Sequence, residues 1–145
     1  MQTLRVCTFT VDAGLYGVDV MEVQEVIRRQ EITRVPLAPP VVRGLINLRG
    51  QIVTAVDLRR RLELPERPAD GLTRNVVLRT ADGIVSLLVD EVGDVVEVDD
   101  ESFEPPPVTL RGVARDLVRG AYKLKDRLLL VLDTERVAAC AGGGA

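Results

Sequence analysis

The chain has no histidine and no tryptophan, two cysteines, and four aromatic residues among its 145: Phe9, Tyr16, Phe103 and Tyr122. Lacking histidine, it has neither the commonest general base and metal ligand nor the phosphoacceptor of histidine kinases. So few aromatic rings argue against a surface that stacks nucleobases. The 19 basic and 22 acidic residues, net −3, are mixed along the chain, with no basic block of the kind that grips a polyanion or an anionic membrane. No apolar run approaches the roughly 20 residues of a membrane span, and Met1–Arg5 lacks the apolar core of a signal peptide, so the expected location is the cytosol. Cys7 and Cys140 stand near opposite ends with no C-x-x-C spacing, which predicts a buried filler and a bystander in a reducing compartment.

Reaction machinery is equally sparse. There is no glycine-rich phosphate cradle, and neither Ser86 nor Ser102 sits in a G-x-S-x-G turn. Asp99 and Asp100 adjoin, but neighbours on extended backbone point to opposite sides, a poor arrangement for acid–base work. Asp99-Asp100-Glu101 reads as an acidic loop without the glycine-kinked oxygen ladder that a hard cation needs. These absences predict a binding module without cofactor or metal, not an enzyme.

What the chain does have is a repeat. Val42–Arg60, V-R-G-L-I-N-L-R-G-Q-I-V-T-A-V-D-L-R-R, returns in weaker form at Val118–Arg136, V-R-G-A-Y-K-L-K-D-R-L-L-L-V-L-D-T-E-R. Ahead of each copy lies a second echo: Ala13–Val18 with Val20, Glu22, Val23 and Val26 resembles Asp82–Leu87 with Val89, Glu91, Val92 and Val95. The order of elements repeats, which predicts two similar units.

Alternation in Leu4–Val11, the turn Asp12-Ala13-Gly14 and then Leu15–Val18 predict a hairpin. Val20, Val23 and Ile27, spaced three and four apart with Val26 beside them, predict a short amphipathic helix over 20–28. Ile32–Val35 predicts a short strand ended by Pro36, Pro39 and Pro40. Gly44–Arg49 and Ile52–Val56 predict a hairpin buried on both faces, and Asp57 and Asp133 predict caps for short helices. The stretch Leu64–Arg74 reads as an exposed connection; strands follow at Asn75–Thr80, Ile84–Val89 and Val92–Val98, and Glu104–Pro107 reads as a polyproline segment. Many short strands with regular turns predict an all-β chain of barrels with a few short helices.

Taken in order, Y-G-V-D at 16–19, V-Q-E-V at 23–26, V-R-G-L-I-N-L-R-G at 42–50, D-L-R at 57–59, Val89-Asp90 and Val95 resemble the CheW family of bacterial chemotaxis coupling proteins. The N-L-R-G hairpin with the trailing D-L-R carries most of the specificity, and the resemblance spans roughly residues 3–139. It implies a CheW-like fold: one domain over 1–139 made of two packed, five-stranded, SH3-like barrels. The approximate halves are 1–66 and 74–139, with strands free to exchange between them and 140–145 as a tail. It also implies a non-enzymatic adaptor joining the cytoplasmic hairpin tips of methyl-accepting chemoreceptors to the regulatory domain of a CheA-type histidine kinase. Related proteins bind only one of the two partners, or serve pathways controlling pili, gliding or gene expression.

By the same resemblance, Val23, Glu25, Val26, Ile27, Arg49 and Val95 would meet the receptor, and Val42, Arg43, Gly44, Leu45 and Ile46 would face the kinase. Two departures from the family pattern bear on partner choice. Thr54-Ala55-Val56 lacks a proline that is common there, and Ala121-Tyr122 replaces a small or glycine-containing step.

Overall fold

The computed structural model describes residues 3–28, 30–65, 73–105 and 112–142, the side chains only through 139. The first half comprises β1 (Thr3–Val11), β2 (Gly14–Asp19), a 3-10 turn (Val20–Glu22), β3 (Val23–Arg28), β4 (Val42–Leu48), β5 (Gln51–Asp57) and helix α1 (Leu58–Arg61). The second comprises β6 (Arg74–Thr80), β7 (Gly83–Val89), β8 (Glu91–Asp99), a 3-10 turn (Asp100–Ser102), β9 (Phe103–Glu104), α2 (Gly112–Leu117), β10 (Val118–Lys123), β11 (Leu128–Leu132) and α3 (Thr134–Gly142). Most of the predicted connection 64–74, the polyproline residues 106 and 107, the Cys140 side chain and the end of the tail lie outside the described residues.

The strands form two sheets, ordered β8-β1-β2-β11-β10-β9 and β3-β6-β7-β5-β4. Each sheet takes a hairpin from the other half. β1–β2 lies between β8 and β11, while β6–β7 lies between β3 and β5. The repeat holds at the level of register. Thr54 and Ala55 pair in parallel with Val85 and Ser86, and their equivalents Leu130 and Val131 pair with Tyr16 and Gly17. β4 slips register between Val42 and Gly44, and β10 slips between Val118 and Gly120. The amide of Asp57 donates to Val41 O at 2.7 Å, and that of Asp133 to Leu117 O at 2.8 Å. Both aspartates then cap as predicted, accepting from Arg60 N (3.3 Å) and Arg136 N (3.1 Å).

The expected five strands per barrel become six and five. The sixth, β9, pairs Glu104 with Ala121, and its counterpart in the smaller sheet is only a bridge between Thr33 and Leu45. The strand predicted at Ile32–Val35 therefore shrinks to one pair, because Pro36 removes a donor just beyond it.

Three apolar cores follow from this layout. Ile46, Leu48, Val53, Ala55, Val77 and Leu88 fill the smaller sheet; Val6, Val98, Leu129 and Val131 fill the larger. A third and largest cluster, including Phe9, Tyr16, Val18, Leu58, Leu78, Leu87, Leu117 and Leu132, lies between the sheets and draws on both. Cys7 belongs to it, and burial pushes its thiol pKa up, which suits an unreactive filler. The β4–β5 hairpin is not buried on both faces: Asn47 is exposed and Ile52 is 61% exposed, since only one side of that strand pair meets a core.

Residues 20–28 are not a helix. After the 3-10 turn, β3 pairs with β6 and its register shifts between Val23 and Glu25. That bulge resets the alternation, so Val23 lies opposite Leu78 and Val26 opposite Val76, both partners belonging to the core between the sheets. The one extra residue of the bulge puts Val23 and Val26, three apart, on one face, which in sequence looks like part of a helical stripe.

One equivalent pair of positions is filled in two ways. In the larger sheet Val6 is buried against Gly17, where a Cβ would overlap the valine. In the smaller sheet the same positions hold Asn75 and Ser86, both fully buried, with Asn75 Nδ2 donating to Ser86 Oγ at 2.8 Å and Asn75 Oδ1 left without a partner. Replacing one member strands a buried polar group at about 1–3 kcal/mol, whereas replacing both by an apolar pair can be nearly neutral. Chemical denaturation should find Ser86→Gly destabilising and Asn75→Val/Ser86→Gly within about 1 kcal/mol of wild type.

Candidate functional site

The residues expected at the receptor surface divide by burial. Val23 and Ile27 are half-buried, packed on the inter-sheet core and on the core of the smaller sheet, respectively. Val26 is 41% exposed and Val95 is 47% exposed. These two are equivalent positions of the repeat, Val26 facing Val76 on β6 and Val95 facing Cys7 on β1. Directly opposed residues project to the same side of a sheet. Since Val76 and Cys7 both enter the inter-sheet core, Val26 and Val95 stand on the sheet faces that look toward one another, at their outer edges.

Arg49 and Glu25 meet in a two-pronged ion pair, with Nη1 donating to Oε2 at 2.8 Å and Nη2 donating to Oε1. The pair ties β3 to the tip of the β4–β5 hairpin. Arg49 can be there because the turn is tight: Arg49 and Gly50 have φ of 51° and 86°, positive at both central residues as a two-residue hairpin of this hand requires, and Asn47 Oδ1 accepts from Gly50 N at 2.8 Å. The hydrogen bond from Arg49 holds the Glu25 carboxyl below its usual pKa. That stabilising contribution is present above the unfolded pKa and disappears as pH falls through the lowered one.

The set expected to face the kinase also splits. Ile46 is 1% exposed and points into the core of the smaller sheet, so its side chain offers nothing to a partner here. Gly44 is buried too. Its φ is +148°, and an added Cβ would overlap Thr33 O and lie 2.7 Å from Ile32 Cγ2. The glycine is there because the 32–33 segment crosses β4 at that point, its Thr33 exchanging two 2.8 Å backbone bonds with Leu45. Val42 and Leu45 are half-buried and Arg43 is exposed, with Arg43 Nη1 at 3.1 Å from Asp57 Oδ2. Val42, Leu45 and Arg43 are what the β4 edge leaves within reach.

An interaction that sequence reasoning missed fixes the exchanged hairpins. Arg59, with a side chain 10% exposed, donates to Asp12 Oδ1 (3.1 Å), Asp90 Oδ2 (2.7 Å) and Pro65 O (2.9 Å), joining α1 to the β1–β2 turn. Burial opposes its charge, and Asp12 and Asp90 outweigh that. At the equivalent place in α3, Glu135 accepts from Ala81 N at 3.0 and 3.2 Å, gripping the β6–β7 turn. Among the described residues no group of side chains could hold a metal ion, and no helix is long and apolar enough to cross a membrane.

Comparison with known proteins agrees with this architecture. A CheW from Bacillus subtilis is 34% identical over 136 residues, covering 92% of this chain and 85% of that protein. A CheW from Treponema pallidum is 28% identical, covering 94% of this chain and 82% of its own. The crystal structure of the scaffolding protein CheW from Thermoanaerobacter tengcongensis superposes with a TM-score of 0.82 at 30% identity, covering 91% of this chain and 90% of the other. The CheW-like domain pattern matches residues 5–140, and with the two-sheet layout and the relatives above it shows that this chain belongs to the CheW-like domain family.

Proposed function

We propose that this protein is a non-enzymatic chemotaxis adaptor, a single unit of two interlocked barrels over residues 1–139, that couples receptor tips to a CheA-type histidine kinase. The family is one of scaffolds, not enzymes, and its solved relative carries that description. The observation that supports coupling is the separation of two reachable surfaces. Val26 and Val95, with the Glu25–Arg49 pair, border the space between the sheets, whereas Leu45 and Arg43 occupy the β4 edge of the smaller sheet. The first surface would take a chemoreceptor hairpin tip and the second the regulatory domain of the kinase. The adaptor would work in the cytoplasm, drawn to receptor arrays by the first contact.

Holding two partners in fixed geometry lets a small movement of one bias the other, for which a coupling of roughly 1–3 kcal/mol suffices. Pull-downs with a receptor hairpin fragment and a kinase regulatory domain, each alone, test the assignment. Val26→Lys is expected to weaken receptor capture and spare kinase capture, and Leu45→Asp to do the reverse. Equal loss of both partners from either variant, with the fold intact, would count against two distinct surfaces.

A further inference from the structure

Among the described residues four that are not glycine have left-handed backbone: Asp12, Leu37, Arg49 and Glu63, with φ between 51° and 66°. Each needs a reason, because a Cβ crowds the following carbonyl in that conformation. Three of them have one. Asp12 stands in the tight β1–β2 turn with the short polar side chain that tolerates this region, and its amide donates to Asp90 Oδ2 at 2.8 Å. Arg49 closes the β4–β5 hairpin and reaches Glu25. Glu63 terminates α1, its amide donating to Arg60 O at 3.0 Å while that of Leu64 donates to Arg59 O at 2.9 Å. Leu37 has no such role: its φ is 66° and its side chain is fully exposed.

The turn that carries Leu37 is firmly held. Pro36 and Leu37 are its central residues, and the Ala38 amide closes it by donating to Val35 O at 3.3 Å. Proline followed by a residue of positive φ makes a type II turn, whose second central position suits glycine or asparagine. Pro36, Pro39 and Pro40 fix φ at three of the five residues 36–40. Both ends are tied to the sheet. Thr33 exchanges two 2.8 Å bonds with Leu45, Val42 N donates to Pro39 O at 2.9 Å, and Asp57 N donates to Val41 O at 2.7 Å. A single exposed leucine is ordinary on a protein surface. One that is fixed in a conformation asparagine adopts more easily costs the folded chain stability, with no return inside the molecule.

The turn belongs to the β4 edge. Leu37 follows by four residues Thr33, which lies opposite Leu45, and precedes by five Val42, where β4 begins. Chain length alone keeps its Cα within about 14 Å of that of Thr33. Arg49 stands beyond the other end of β4, and β3 is the opposite edge of the sheet. We propose, resting on the kinase assignment of the β4 edge made above, that Leu37 is the apolar anchor of that surface. The strained turn holds its side chain outward to enter a hydrophobic pocket of the kinase regulatory domain, alongside the contacts of Leu45 and Arg43. A turn already fixed in its bound shape loses little conformational freedom on docking, and one apolar side chain buried at an interface can carry much of the affinity.

Leu37→Asn relaxes the backbone and removes the anchor, so two readouts are expected to move in opposite directions. In chemical denaturation of the full chain the variant should have a higher midpoint than wild type. In calorimetric titration with a kinase regulatory domain its affinity should fall roughly tenfold or more, while affinity for a receptor hairpin fragment stays unchanged. Leu37→Met keeps an apolar side chain of similar volume and should bind the kinase domain within about threefold of wild type. Wild-type kinase affinity in Leu37→Asn, beside a loss in Leu45→Asp, would overturn the anchor and leave the kinase assignment standing. Failure of the wild-type chain to bind the kinase domain would overturn both. Equal loss of the receptor fragment from Leu37→Asn would also overturn the anchor, as would an unchanged or lower midpoint, since the turn would then hold no strain to explain.

Discussion

Replacing Arg59 by Leu is expected to destabilise the protein by roughly 2–3 kcal/mol, because a nearly buried guanidinium is removed while the groups built around it remain. Asp90, with a side chain 12% exposed, loses its 2.7 Å charged partner and still accepts from the Asp12 amide at 2.8 Å, while Asp12, half exposed, returns to water and the carbonyl of Pro65 loses its donor. The cost depends on what is stranded, not on the worth of the ion pair, since a buried pair adds little net stability over an apolar replacement of the whole group. Lysine should not restore stability: it can carry the charge, but one ammonium cannot reproduce the planar fork that reaches three acceptors on two sides. Denaturant midpoints for wild type, Arg59→Leu and Arg59→Lys decide the matter. Wild-type stability in Arg59→Leu would mean that backbone pairing with β8 and β11 and apolar contacts suffice to hold the β1–β2 hairpin in the foreign sheet.

The second large effect is expected at Gly44. Gly44→Ala should cost roughly 2–4 kcal/mol, part of it from placing a side chain at φ +148° and part from pushing the 32–33 segment off β4. Loss of the two Thr33–Leu45 bonds would free the β4 edge that is proposed to meet the kinase. A Gly44 variant that fails to bind a partner is therefore poor evidence of direct contact, and Leu45 and Arg43 are the informative positions. Hydrogen exchange at the Leu45 amide separates the two cases. Fast exchange in Gly44→Ala is expected, and unchanged protection with unchanged stability would show that the segment accommodates a methyl group.

Much of the fold is legible from the repeat. The offset that aligns Val42–Arg60 with Val118–Arg136 survives as the same register, the same bulges and the same aspartate caps. The repeat also held the answer that periodicity obscured. Val23 and Val26 align with Val92 and Val95, and the second pair reads as strand, so the first had to be strand as well; a bulge in each explains the three-residue spacing. Less visible was the depth of individual side chains. Ile46 and Leu45 are neighbours of similar chemistry, and only the curl of the sheet decides which one enters the core. Long-range charge pairing was not legible at all. Arg59 and Asp12 are 47 residues apart, and the equivalent clamp in the other half uses Glu135 with a backbone amide, so opposite charges conceal a shared role.

Coupling requires that both partners be held at once. Sedimentation of a stoichiometric mixture of this chain, a kinase regulatory domain and a receptor hairpin fragment measures that directly. The expected result is a single species containing all three, reduced to the kinase pair by Val26→Lys and to the receptor pair by Leu45→Asp. Two binary complexes that displace one another would contradict it.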